Sequence, residues 1–156
     1  MKKDIFIDCN IASRFKNPMD PEYIKLIQWL MKYEPEDENN AFLVVSNKLL
    51  MEYGRSNREA YLGTNIHVII SKLTKEGRLS FISNPKIKVF KTEHFKPKIL
   101  RKLKCNSEDR EHIPVVLLSE RKYALSIDDD FIFDLMNFPG YIARAEKRPE
   151  NLPYDK

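Results

Sequence analysis

The chain has 156 residues, 42% hydrophobic and 32% charged, a composition that fits one ordinary globular domain over residues 1–156 and excludes a disordered or collagen-like chain. Lys2 and Lys3 precede an apolar run, but Asp4 and Asp8 interrupt it, so no signal-peptide core forms, and no later run approaches a membrane-spanning length. Two distant cysteines, Cys9 and Cys105, exclude a disulfide scaffold or a zinc ribbon, and a cytoplasmic protein is expected.

In chain order, Ile5-Phe6-Ile7 is a short continuous apolar run ending at Asp8, the pattern of a strand buried on both faces. Asp20 can cap a helix with Pro21 in its first turn, and Leu26, Ile27, Leu30 and Met31 then share a face beside Trp29, read as core or interface. After the loop-like Glu34 to Asn40, residues Ala41 to Val45 read as a second strand, followed by a helix over Lys48 to Gly54 and a loop over Arg55 to Glu59. Ile66, Ile69, Ile70 and Leu73 form a helical stripe that Gly77 can end. Leu79 to Ile82 is a third strand, and Ile87 to Phe90 reads as an edge strand or a loop packing down. Helices are expected at Lys98 to Leu103, Ser107 to Glu120 and Phe131 to Met136, with strands at Tyr123 to Ile127 and Tyr141 to Ala143. Pro114 removes a backbone bond to the Arg110 carbonyl, which predicts a kink. Strands alternating with helices imply an α/β fold, a three-layer α/β/α sandwich around a mostly parallel sheet.

The net charge of +4 is unevenly spread. Lys86 to Lys104 holds eight of the 27 basic residues and one of the 23 acidic ones, so the rest of the chain has 19 and 22, a net of −3. An acidic remainder beside one basic stretch fits a carboxylate site next to a phosphate-gripping surface; a solvated helix face is the plainer alternative.

Open parallel sheets bind ligands beyond the carboxyl ends of their strands, where Asp8 ends the first strand and Asp128, Asp129 and Asp130 follow a later one. Glu52 lies three residues after Leu49, and Asp109 four before Ile113, so both acids extend apolar helix faces. Two carboxylates about 4 Å apart repel by ~4 kcal/mol even at an effective dielectric near 20, which a raised pKa or a divalent cation must offset. Oxygen donors without a Cys/His cluster favour Mg²⁺ or Mn²⁺, and phosphodiester hydrolysis is the natural chemistry. Each acid also has an ordinary reading: Asp109 as a helix-start charge behind an Asn106 cap, Asp128 or Asp130 as a cap, Glu52 as a solvated residue and Asp8 as a turn former. His67, His94 and His112 are isolated and lack HxxxH spacing; His112, three residues from Asp109, is within reach of a hydrogen bond to it or serves packing.

Ile5-Phe6-Ile7-Asp8-Cys9-Asn10, Val44-Val45-Ser46 leading to Glu52, Asp109-Arg110-Glu111-His112-Ile113 and Leu125-Ser126-Ile127-Asp128-Asp129-Asp130 occur in the order and context of the four motifs of the PIN-domain family, and Pro149 to Leu152 resembles its usual ending. Cys9 departs from the Thr or Ser more usual there, and the basic segment is longer than in many compact members. The resemblance, which extends to VapC-type toxins, implies a Mg²⁺- or Mn²⁺-dependent endoribonuclease leaving a 5′-phosphate and a 3′-hydroxyl. It implies Asp8, Glu52, Asp109 and Asp128 as catalytic residues and metal ligands, Asp130 joining through a water, and Asn10 and Ser126 holding carboxylates or a phosphate oxygen. Lys98, Arg101 and Lys102 are the expected RNA-backbone contacts. Expected partners are RNA, an antitoxin or other inhibitory protein and a second copy in a homodimer. The alternative is a non-catalytic RNA-binding or scaffold module. An aspartyl-phosphate enzyme needs a second Asp two residues after the first, where Asn10 stands.

Overall fold

The continuous apolar runs become the two central strands, β1 (Lys3–Ile7) and β2 (Ala41–Val45), which pair in parallel with Ile5 opposite Leu43 and are almost wholly buried. The structure is a computed structural model that describes residues 1–16, 18–56 and 65–156. Three shorter strands complete a parallel sheet, β3 (Leu79–Phe81), β4 (Tyr123–Leu125) and β5 (Arg144–Glu146), in the order β3-β2-β1-β4-β5.

Helix α1 (Cys9–Ala12) follows β1 directly. Asp20 caps α2 (Pro21–Met31) by accepting from Glu22 N at 2.9 Å, and Pro21 pre-sets its first turn. Helix α3 (Asn47–Ser56) follows β2, and α4 (Ile66–Lys75) follows with an Asn65 cap, ending before Gly77, whose φ of 70° suits a residue without Cβ. Helices α5 (Asn84–His94), α6 (Pro97–Leu100), α7 (Ser107–Arg110), α8 (Ile113–Leu117) and α9 (Asp129–Met136) complete the described set. The chain winds outward from β1 to β3, then returns past β1 to β4 and β5. Right-handed crossovers therefore put α2 and α4 on one face and α8 and α9 on the other, in agreement with their packing against β2, β3 and β5. The result is the expected three-layer α/β sandwich. Fully buried Ile5, Leu26, Leu30, Leu43 and Ile69 each contribute about 1.5–3 kcal/mol of transfer free energy to its core.

Several expectations are corrected. The last strand is Arg144–Glu146, not Tyr141 to Ala143: Ile142 is 93% exposed, and a three-residue edge strand with only Ala145 buried carries little apolar signal. Ile87 to Phe90 is neither strand nor loop but part of α5, where Ile87 and Phe90 are one helical turn apart and inward while Val89 faces solvent. The expected helix from Lys98 to Leu103 starts at Pro97 and keeps helical form only to Leu100. The single helix expected over Ser107 to Glu120 is broken into α7 and α8, with Pro114 in the first turn of α8, where its missing N–H costs nothing. Arg55 and Ser56 extend α3 rather than opening a loop, and the remainder of that loop, 57–59, lies outside the described residues.

Candidate active site

The strand order reverses between β1 and β4, and this switch point opens a crevice at their carboxyl ends. Asp8 stands at one lip, directly after β1, with its backbone N–H bonded to Leu125 O at 2.9 Å. Asp128 stands at the other lip, three residues after β4, where it caps α9 by accepting from Asp130 N (2.9 Å) and Phe131 N (3.2 Å). Glu52 reaches in from α3 and Asp109 from α7. Together with Cys9, Asn10, Ser13 and Arg55 these four acids line one open depression of about 510 Å³. A larger one, about 580 Å³, runs past Trp29 and Tyr154, but of its three acids among the described residues Glu22 and Glu150 pair with Lys25 and Arg148, which leaves Asp155 alone there. Converging carboxylates, and not volume, distinguish the site.

Hydrogen bonds hold the first lip to the second. Ser126, fully buried, donates from Oγ to Asp8 Oδ2 at 2.7 Å and accepts from Asp128 N at 3.1 Å. Asn10 Nδ2 reaches Asp8 Oδ2 (3.5 Å) and Ser126 Oγ (3.4 Å), while its Oδ1 accepts from Ile127 N at 3.2 Å. Asp8 Oδ1 accepts from Cys9 N at 2.7 Å. Asn10 and Ser126 thus both hydrogen-bond the Asp8 carboxylate. Cys9 is half-buried, and its thiol donates to Glu52 O at 3.4 Å. The Tyr53 hydroxyl donates to Ile7 O, which ties α3 to the end of β1.

The electrostatics divide the four acids. Burial raises the Asp8 carboxyl above its ordinary value, only partly offset by Ser126 and by His112. Asp109 is pushed up to about 6 by burial, by a hydrogen bond with the Asp128 carboxyl and by the charge of Asp8. Glu52 goes the other way: burial would raise it, but the bond to His112, the His112 charge and Lys48 outweigh that and hold it below the usual range. His112 Nε2 lies 2.7 Å from Glu52 Oε1, and Lys48 Nζ lies 3.6 Å from Oε2 while also pairing with Glu108. His112 thus meets Glu52 and not Asp109, the partner its spacing offered.

Two groups of expected residues lie apart from this depression. Asp130 is exposed at the start of α9 and lends Asp128 its backbone N–H, because the tight cap turns its side chain outward. Lys98, Arg101 and Lys102 are exposed on and just after α6, and Lys102 lines an apolar pocket with Phe133 and Phe138. Arg55, Ser13 and Lys48 went unremarked in the sequence, although Lys48 and Arg55 stand one turn either side of Glu52, the i−4 and i+3 positions that share its face.

Among the described residues no three His, Cys, Asp or Glu side chains stand in a formed metal-binding group. The donor chemistry nonetheless suits a hard cation: Asp8, Asp109 and Asp128 offer oxygen only, and two of them resist ionising without a counter-charge.

No family model matches the chain, and no curated protein matches it. A chain in the crystal structure of VapBC2 from Rickettsia felis, bound to a DNA fragment from their promoter, is similar in fold: TM-score 0.55 and 15% identity, covering 91% of this chain and 98% of that one. The fold is PIN-like. Asp8, Glu52, Asp109 and Asp128, one from each of the four sequence motifs, line the same depression. Among the described residues no helix is long and apolar enough to cross a membrane.

Proposed function

We propose that this PIN-like protein is an endoribonuclease that uses Mg²⁺ or Mn²⁺ to hydrolyse phosphodiester bonds in the acidic depression. The observation that carries the reading is the convergence of Asp8, Glu52, Asp109 and Asp128, drawn from four chain segments, on one depression at the sheet's switch point. Asp8 and Asp128 also cap the helices that follow them, but capping asks for one acid at each helix start and does not require four carboxylates gathered at electrostatic cost in one depression.

Asp8, Asp109 and Asp128 would hold the ion. Bound there, it would lower the pKa of a water and draw a phosphoryl oxygen into place. Ser126 and Asn10 keep Asp8 aimed by occupying its Oδ2. Glu52, kept ionised and fixed in direction by His112 and Lys48, is the group suited to orient the attacking water by accepting its hydrogen bond. Arg55 is the cation on the rim that suits a non-bridging phosphate oxygen.

The test is cleavage of single-stranded RNA by the parent and by Asp8→Asn, each with Mg²⁺, with Mn²⁺ and with EDTA. Cleavage by the parent only with metal, leaving 5′-phosphate and 3′-hydroxyl ends, is the expected result; equal cleavage by the variant ends the assignment. An RNA-binding scaffold predicts binding without cleavage.

The likeness to a chain of the VapBC2 complex favours a narrower version, the toxin of a toxin–antitoxin pair. A small protein encoded beside this one should then co-purify with it and block cleavage. Free cleavage in its presence removes the toxin role and leaves the nuclease.

A further inference from the structure

Helix α7 has two working sides. Asp109 lines the acidic depression, while its neighbours Ser107, Arg110 and Glu111 line a second groove of about 450 Å³, shared with Lys88, Lys91, Thr92 and Phe95 of the α5 region and Leu100. Only the thickness of one short helix separates the acids from three cations, because successive residues on a helix point about 100° apart. Lys91 is committed to Glu111 at 2.6 Å. Lys88 is exposed and Arg110 half-buried, and neither takes part in an ion pair among the described residues; Arg110 spends Nε on Cys105 O at 3.2 Å, which points its guanidinium without neutralising it. Thr92 and Ser107 add hydroxyls, and the half-buried Phe95 ring supplies an apolar wall.

From this arrangement we infer that the groove between α5 and α7 is the track for the RNA strand flanking the scissile phosphate, with Lys88 and Arg110 binding successive phosphates and Phe95 offering a stacking face to a base. The inference rests on the nuclease reading for its scissile phosphate, and it replaces Lys98, Arg101 and Lys102 as the principal backbone contacts. Those three are exposed, but none lines a wall shared with Asp109's helix, and Lys102 belongs to the apolar pocket beside Phe133. The chemistry selects a single strand: every phosphate offers the same anion, and an accessible base face requires unpaired nucleotides.

The experiment measures binding of a fluorescently labelled single-stranded RNA of ~12 nucleotides by anisotropy, across a salt series and in EDTA, so that it does not depend on cleavage. Two variants are compared with the parent, Lys88→Gln/Arg110→Gln and Lys98→Gln/Arg101→Gln/Lys102→Gln. The expected result is about a tenfold loss of affinity for the first, with the slope of log K against log salt flattening by about 0.7 for each phosphate that is no longer neutralised, and a smaller change for the second. If the double variant unfolds, Lys88→Gln alone carries the test, with a flattening of about 0.7. Unchanged affinity and slope in the Lys88/Arg110 variant, or loss confined to the Lys98 set, overturns the track. RNA bound through the groove but never cleaved by the parent would end the nuclease reading while leaving the groove standing.

Discussion

His112 Nε2 lies 2.7 Å from Glu52 Oε1, although the two residues are 60 positions apart and the imidazole is 1% exposed. The ring packs against Phe6 and Phe131, and its Nδ1 has no hydrogen-bond partner among the described residues. A buried imidazole with one satisfied nitrogen is a costly way to fill core space. Its return is a carboxylate at the mouth of the site that stays ionised and fixed in direction.

Replacing His112 with Ala should therefore do more than leave a cavity. The lost charge-assisted bond costs about 1.5–3 kcal/mol, and Glu52 is freed to take up a proton in its half-buried setting. His112→Gln, which can still donate, should recover part of both stability and cleavage. Urea unfolding with parallel cleavage assays measures this; a fully active Ala variant would remove His112 from the site.

Ser126 is the shortest link between the two lips of the crevice. Ser126→Ala deprives Asp8 of a donor and Asp128 N of an acceptor and should cost about 1–3 kcal/mol, with a large loss of cleavage. Ser126→Thr keeps the hydroxyl and should stay close to the parent in both assays.

Without metal, stability should depend on pH through Asp109. Its folded pKa of about 6 exceeds the ordinary 3.8, so the folded state keeps a proton that the unfolded chain has released. The stabilisation is complete below 3.8 and is lost as pH rises through about 6. Glu52 has the opposite sign: its folded pKa is depressed, so its contribution is present above 4.5 and fades as pH falls below that value. Thermal melts in EDTA should show the parent weakening relative to Asp109→Asn between about pH 4 and 6.5, a difference absent if Asp109 titrates normally.

Adding Mn²⁺ at pH 7 should reverse that weakening. A ligand at one hundred times its Kd stabilises the folded state by ~2.7 kcal/mol, visible as a rise in Tm for the parent. Asp8→Asn and Asp128→Asn should each lose most of the rise. An identical rise in all three proteins would place the ion elsewhere.

The sequence was most legible where burial was most complete. Ala41–Val45 reads as a strand to the residue because its run is apolar on both faces, and Asp20 with Pro21 announces α2 through local chemistry alone. Arg144–Glu146 was illegible, because an edge strand needs only one inward residue. The carboxylates were found by their place after strands or on apolar helix faces, and Asn10 and Ser126 by the same motifs. The His112 to Glu52 pair was not, since it forms only when α3 and the α7–α8 region meet across the folded core. Asp130, expected to join through a water, stands exposed at the start of α9 and outside the depression, a placement set by the cap that turns Asp128 towards the backbone and visible only in the fold.

Pro114 makes Asp109 separately adjustable. Because the proline starts α8 anew, the four-residue turn bearing the acid has its own Asn106 cap and Lys48 gripping Glu108, and it meets the apolar helix behind it through the bond from His112 N to Asp109 O at 3.0 Å. Small changes around Asp109 in that turn can re-aim one carboxylate while the interior, Ile113 to Leu117, stays as it is.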